Sequence, residues 1–304
     1  MPPKRHALTA ETARKWADMA HLFFIDALSG ATPLSLDRIT FHGGTNLHLS
    51  WGSPRYSEDL DFLVSRSFGA EIAALMPKVA KRMQALATAE DPQLKIVIED
   101  KTRDPEGLLN FRIKVSSPRV VGQVMAKAEF WQVTPEYLEG FDARFVQPGR
   151  SGEVRSRITQ PLPVATLEAA FADKVVALAN RPFLKWRDLF DLWWIAGQAD
   201  ISPQDQIARI EHHATAYRGT HGDTISDGLA RFLERDPGEI FTQADPDLRK
   251  WLPKSLWEAL NPDGVREMVD NAREIAGAVR ALMVTDPATG ERAPETADDE
   301  NPGP

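Results

Sequence analysis

The chain of 304 residues contains no cysteine, so neither a disulfide framework nor a thiolate metal site can organise its fold or its chemistry. No run approaches the roughly 18 apolar residues of a membrane-spanning helix. After the basic residues Lys4, Arg5 and His6 come Glu11, Arg14, Lys15 and Asp18, where a signal peptide would carry an uncharged apolar core. The expectation is a cytoplasmic protein with no membrane partner. Walker loops, nucleophile elbows and zinc signatures are also lacking. The pair His212-His213 has no second ligand pair at metal spacing. Positive charge is scarce as well, with a formal net charge of −8. Six acids against Arg292 fall within residues 284–304, so the rest of the chain is nearly balanced. Such a body can carry local basic patches, and the global charge does not exclude a polynucleotide substrate.

A hydrophobic content of 42% over this length can bury a full core and is enough for two domains. Apolar residues at three- and four-residue spacing predict a helix over 9–28, with Thr9 as N-cap. A strand near 39–41, a short helix over 45–49 and an acidic strand at 59–64 come next. A second amphipathic helix spans 71–87, and alternating strands occupy 94–99, 109–115 and 124–131. Residues 1–160 therefore read as an α+β domain with a mixed sheet flanked by helices. Helical patterns over 166–180, 185–197, 203–217, 224–234 and 262–283 make 161–284 a helical bundle. The acidic, proline-rich stretch 285–304 is expected to be a disordered tail.

Two segments carry chemistry. The turn Gly43-Gly44-Thr45 after a strand lets backbone amides approach a ligand, and the following helix N-terminus offers free N–H groups to phosphate oxygens. Gly-Gly alone is more often a plain tight turn. In Ser57-Glu58-Asp59-Leu60-Asp61-Phe62, Asp59 and Asp61 share one face of a strand while Leu60 and Phe62 occupy the other. Acids are depleted in strands, and adjacent carboxylates repel unless a cation neutralises them. A solvated strand face is the plain alternative. Mg2+ favours a few hard oxygen ligands with positions left open for phosphates.

The second segment is the helical block. Leu167, Phe171, Val175 and Leu178 form an apolar stripe interrupted by Lys174, whose ammonium either snorkels to solvent or enters a cleft as a charge on phosphates. In Lys185-Trp186-Arg187-Asp188-Leu189-Phe190-Asp191-Leu192, a nearly all-apolar helix carries two acids three apart, and these need partners such as Lys174, Lys185 or Arg187. A purely structural ion network fits this pattern too. A third carboxylate is ambiguous: Glu129 alternates onto the face of Lys127, and Glu99 is a rival. His48 reads as a contact to base or phosphate or, more commonly, as a structural histidine. Trp51 and Tyr56, with Arg55 between them, either stack on a base or pack locally.

The Gly-Gly turn followed by an acid-hydrophobic-acid strand resembles the first motif of polymerase-beta-like nucleotidyltransferases. The run Ser57 to Phe62, with Lys174 and the Arg187-Asp188 to Asp191-Leu192 pattern, is similar to the AbiEii/AbiGii toxin family of abortive-infection and type IV toxin-antitoxin systems. That resemblance implies a metal-dependent transferase of a nucleoside monophosphate from a nucleoside triphosphate to an acceptor hydroxyl. Asp59 and Asp61 would hold Mg2+ or Mn2+, Gly43, Gly44 and Thr45 would seat the triphosphate, and Lys174 would neutralise its charge. Asp188 would activate the acceptor or orient the lysine, with Asp191, Arg187 and Glu129 as further possible members. It also implies phage defence, tRNA as acceptor and a cognate antitoxin. A basic lining from Arg209, Arg218, Arg249, Lys250 and Lys254 would favour tRNA. Transfer to a small-molecule or protein hydroxyl, and a nucleotide-binding regulator without catalysis, are the alternatives.

Overall fold

The computed structural model describes residues 5–149, 160–217 and 224–284. The expected tail and Arg218 lie outside them. In chain order the elements are β1 (His6–Ala7), α1 (Ala10–Ser29), β2 (Ile39–His42), α2 (Gly43–Trp51), β3 (Asp59–Ser65), α3 (Arg66–Glu90), β4 (Lys95–Asp100), β5 (Leu108–Ser116), β6 (Val120–Val121), β7 (Val124–Val133), α4 (Pro135–Glu139), β8 (Ala143–Val146) and β9 (Leu162–Ala165). Helices α5 (Leu167–Asn180), α6 (Trp186–Gln198), α7 (Pro203–Ala214), α8 (Ile225–Leu233), α9 (Pro237–Thr242), α10 (Ala244–Leu248), α11 (Lys254–Leu260) and α12 (Asp263–Val284) follow.

Seven strands form one mixed sheet in the order β4-β5-β7-β3-β2-β9-β8. Strand β3 runs antiparallel to β2 and parallel to β7. Alternation decides the layering: Leu60, Phe62 and Val64 of β3, Ala128 and Phe130 of β7, and Phe111 of β5 point into one core with Phe24 of α1 and Phe68 of α3. The rings of Phe62 and Phe130 stack at 4.8 Å between centroids. Two long helices therefore seal that face and leave the acidic face of β3 for other work. Capping fixes where the helices begin: the Thr9 hydroxyl accepts from the Thr12 amide and the Ser65 hydroxyl from the Phe68 amide. Helix α3 thus starts at 66, earlier than its apolar pattern over 71–87 indicates, because Ser65 caps it straight off the strand.

Strands β8 and β9 lack a signal in the sequence, and β9 carries the sheet past residue 160 by pairing parallel with β2. It is pinned from outside itself: Asn46 Nδ2 and Trp51 Nε1 of α2 both donate to the Ala165 carbonyl, at 3.2 and 3.0 Å. A second core gathers α5, α6, α8 and α12 around Phe171, Trp186, Phe190 and Met268. Leu47 of α2 belongs to that core while Leu49 belongs to the sheet core, so one short helix ties the two together.

Candidate active site

The glycine turn is shaped by its neighbours. Gly43 has φ +75°, a left-handed conformation that side chains disfavour, and a Cβ there would lie 2.5 Å from Asp61 Oδ2. A Cβ on Gly44 would strike the Arg55 guanidinium. Both glycines therefore make room for charged groups, which a reading of the turn by itself does not show. Thr45 is buried, and its hydroxyl donates to the Asp59 carbonyl. It supports the acidic strand from below and does not face the cavity.

Sheet register assembles the acids. Asp61 stands opposite His42 on β2 and opposite Glu129 on β7, and Asp59 stands opposite Lys127. Lys127 Nζ lies 3.6 Å from Asp59 and 4.0 Å from Glu129, so a single cation already bridges two of the carboxylates. Glu129 accepts from Asn110 Nδ2 at 2.6 Å. Burial, and then the charges of Asp61 and Asp59, raise its pKa. Burial is also the largest influence on Asp61, and with Asp59 it raises that pKa against the lowering pull of His42 and Lys174. This strain among neighbouring carboxylates is what a bound cation relieves. Glu99 is ion-paired to Lys101 and Lys114 two strands away, which leaves Glu129 as the third acid near the pair.

A network of charges faces these carboxylates from the helical side. Lys174 Nζ is 3.0 Å from Asp188 Oδ1 and 2.8 Å from Asp191 Oδ2. Arg181 pairs with the other oxygen of Asp188. Arg55 donates both Nε and Nη2 to Asp191 at 2.7 Å, and its Nη1 donates to the Tyr56 carbonyl at 2.8 Å. Burial lowers the Lys174 pKa despite Asp191, with Arg55 and Arg181 adding to the effect. Burial would raise Asp191, but Arg55 and Lys174 outweigh it and hold the carboxyl below its ordinary value.

A cavity of about 210 Å3 lies between the two halves, lined by Gly44, Asp59, Asp61, Glu129, Lys174, Arg187 and Asp188, all singled out from sequence. Arg55, Ser57, Arg181 and Lys185 line it as well. Asp191 lies behind it, fully buried. From sequence, Lys185 is expected only as a partner of the helical acids and Arg55 only as part of an aromatic rim, and Arg181 is not expected at all, because it lies in the loop between α5 and α6, where no periodicity applies. Trp51 carries the Arg144 guanidinium on its ring at 4.3 Å, and His48 Nδ1 is 2.7 Å from the Ser53 carbonyl. Both are committed to local packing. His213 Nδ1 is 2.8 Å from Asp173, and Asp173 is 3.2 Å from His42 Nδ1, a His-Asp-His row next to Asp61 in which His213 is buried and the other two are half-buried.

Among the described residues no group of three or more His, Cys, Asp or Glu side chains is placed to hold a metal ion. The donors present are hard carboxylate oxygens with open space beside them, which suits a divalent cation shared with substrate phosphates better than an all-protein site.

The fold is shared with solved structures. JHP933 from Helicobacter pylori is 16% identical, with 88% of this chain and 92% of that one covered and a TM-score of 0.51. MenT4, a nucleotidyltransferase toxin from Mycobacterium tuberculosis H37Rv, is 17% identical over 90% of this chain and 95% of its own, with a TM-score of 0.54. The sequence profile described as nucleotidyl transferase AbiEii toxin, type IV TA system, matches residues 26–271. The chain belongs to that family of nucleotidyltransferases, which implies a nucleoside triphosphate substrate and an antitoxin partner. No curated protein matches it. Among the described residues no helix is long and apolar enough to cross a membrane.

Proposed function

We propose that this enzyme transfers a nucleoside monophosphate to a hydroxyl of tRNA in the cytoplasm, as a toxin restrained by a cognate antitoxin and serving in phage defence. The observation that carries the transferase assignment to particular residues is the cavity itself. It sets Asp59, Asp61 and Glu129 on one wall and Lys174, Arg181, Lys185 and Arg187 on the other, where Asp188 pairs with Lys174 and Arg181. Carboxylates and cations on opposed walls match a triphosphate neutralised from both sides. Asp59 and Asp61 would hold Mg2+ or Mn2+, which when bound neutralises phosphate charge.

In the reaction the acceptor oxygen forms a bond to the α-phosphorus, the bond from that phosphorus to the bridging oxygen breaks, and pyrophosphate leaves. The hydroxyl proton passes to Glu129, set beside both aspartates by the β3–β7 register. The Gly44 amide region and Lys174 seat the phosphates. Asp188 and Asp191 hold Lys174 in place, which favours an orienting role for Asp188 over acceptor activation.

The test is incubation with total RNA, a divalent cation and each α-labelled triphosphate. Wild type should label the tRNA band, Asp61→Ala should abolish the label, and Lys174→Ala should lower the rate by about 10²–10³-fold, the scale of losing one well-placed electrostatic contact. Label on tRNA that persists in Asp61→Ala would overturn the metal role, and label found on protein or small molecules would replace the acceptor.

A further inference from the structure

The residues expected to make a basic lining on the helical domain are largely occupied. Arg209 pairs with Asp142, Arg249 with Asp245, Lys250 with Asp247 and Lys254 with Glu258. Positive charge collects instead on the sheet, on the face opposite α1 and α3. A groove of about 360 Å3 there is lined by Lys101, Arg103, Arg112 and Lys127, with Asp104 as its one acid. Lys101 pairs with Glu99 and Lys127 with Asp59 and Glu129, so Arg103 and Arg112 are the cations of the groove that no ion pair occupies among the described residues. Asp104 Oδ1 is already committed to the backbone amides of Glu106 and Gly107.

Register makes this groove continuous with the catalytic acids. Asp59 lies opposite Lys127, and Lys127 lies opposite Arg112, so one row across the sheet runs from a metal carboxylate into the cations. The row continues to Glu99, which stands opposite Arg112 but is held by Lys101 and Lys114, so Lys127 and Arg112 form the cationic centre of the row, where an anion would be met from two adjacent strands. On the same face of β7, two residues beyond Glu129, Trp131 is 46% exposed, an aromatic surface on which a base can stack.

Resting on the transferase reading above, we infer that this open sheet face binds the sugar–phosphate backbone of the RNA acceptor. Arg103 and Arg112 contact phosphates, Trp131 stacks a base, and the reacting hydroxyl is thereby led to Asp59, Asp61 and Glu129. The triphosphate keeps the other wall of the cleft, so the two substrates reach the acids from different sides. A net-acidic chain would then offer an acceptor polyanion its favourable field only where the chemistry occurs.

The test measures binding of end-labelled bulk tRNA by fluorescence anisotropy across a salt series, without nucleotide, on the full chain. Each phosphate contact contributes roughly 0.7–0.9 to the slope of log affinity against log salt. Arg103→Glu/Arg112→Glu should therefore flatten the slope by about 1.4–1.8 and weaken binding about tenfold or more at low salt. Trp131→Ala should weaken binding with the slope unchanged, and Arg249→Glu/Lys250→Glu should alter neither. Thermal melting by circular dichroism checks the fold, and the milder Arg103→Gln/Arg112→Gln should reproduce the slope change. Wild-type binding retained in the folded arginine variants, or no tRNA binding by wild type, would overturn the inference. Parallel transfer assays separate the two claims. Label transfer without RNA binding would leave the transferase standing and remove this surface, and RNA binding through these arginines without transfer would do the reverse.

Discussion

Replacing Arg55 with methionine probes the buried charge network separately from the carboxylates on the sheet. Arg55 is 2% exposed and Asp191 fully buried, and the two guanidinium contacts at 2.7 Å are the main compensation for removing that carboxylate from water. Methionine preserves much of the side-chain volume, so the loss is chiefly electrostatic. Breaking a buried pair from one side typically costs about 3–5 kcal/mol, because the remaining charge is left uncompensated. Lys174 still reaches Asp191 at 2.8 Å but is shared with Asp188, which places the expected cost near the lower end, about 3 kcal/mol. With roughly 2–4 °C per kcal/mol for chains of about 150 to 250 residues, the melting temperature should fall by some 6–12 °C. The second arm is Arg55→Met/Asp191→Asn, which removes the stranded charge together with its partner and should recover part of the loss. Melting followed by circular dichroism, with denaturant titration for the free energies, reads both. A single variant that loses less than about 1 kcal/mol, or a double variant no better than the single, would refute the view that this pair bears on stability. Loosening Asp191 also frees Lys174, so Arg55→Met should raise KM for the triphosphate more than it lowers kcat.

Gly43→Ala should cost about 1–2 kcal/mol from its left-handed backbone, and by pushing the Asp61 carboxylate aside should cut transfer by about 10²-fold; a variant as active as wild type would show that the close approach to Asp61 is immaterial. For the His42-Asp173-His213 row, burial would raise Asp173, but His213 and His42 reverse it and hold the carboxyl well below its ordinary range. Burial would lower His42, and its hydrogen bond to Asp173 reverses that, leaving its pKa raised. A depressed carboxyl stabilises above the unfolded value of about 3.9, and a raised imidazole stabilises fully below about 6.5 and loses that contribution as pH rises through the folded value. The stability gap between wild type and Asp173→Asn should therefore be wider at pH 5 than at pH 8.5 in denaturant titrations, and an equal or reversed gap would refute the linkage.

Much of the site was legible because its signals are local. Two acids at strand spacing, a glycine pair after a strand, and a lysine in an apolar helical stripe are each a departure from ordinary patterning, and the α+β then all-helical order follows from periodicity alone. Elements whose pairing is set from elsewhere left no such trace. Strand β9 is placed by pairing with β2 and β8, with α2 side chains on its Ala165 carbonyl, and the short helices α9 to α11 are too brief to show a period. Asp188 and Asp191 were recognisable as acids in need of partners, but Arg181 and Arg55 could not be chosen from sequence over Lys185 or Arg187.

By itself the sequence determined the chemical kinds: carboxylate donors without thiolates, a glycine pair after a strand, and a lysine within an apolar helical stripe. Only the tertiary structure decided the pairings, because register and helix docking, not residue spacing, put Glu129 opposite Asp61 and Arg55 against Asp191 some 136 residues away. It likewise sets Lys127 beside Arg112, distant in sequence, on adjacent strands of the sheet, while Arg249, Lys250 and Lys254 pair with acids three or four residues away.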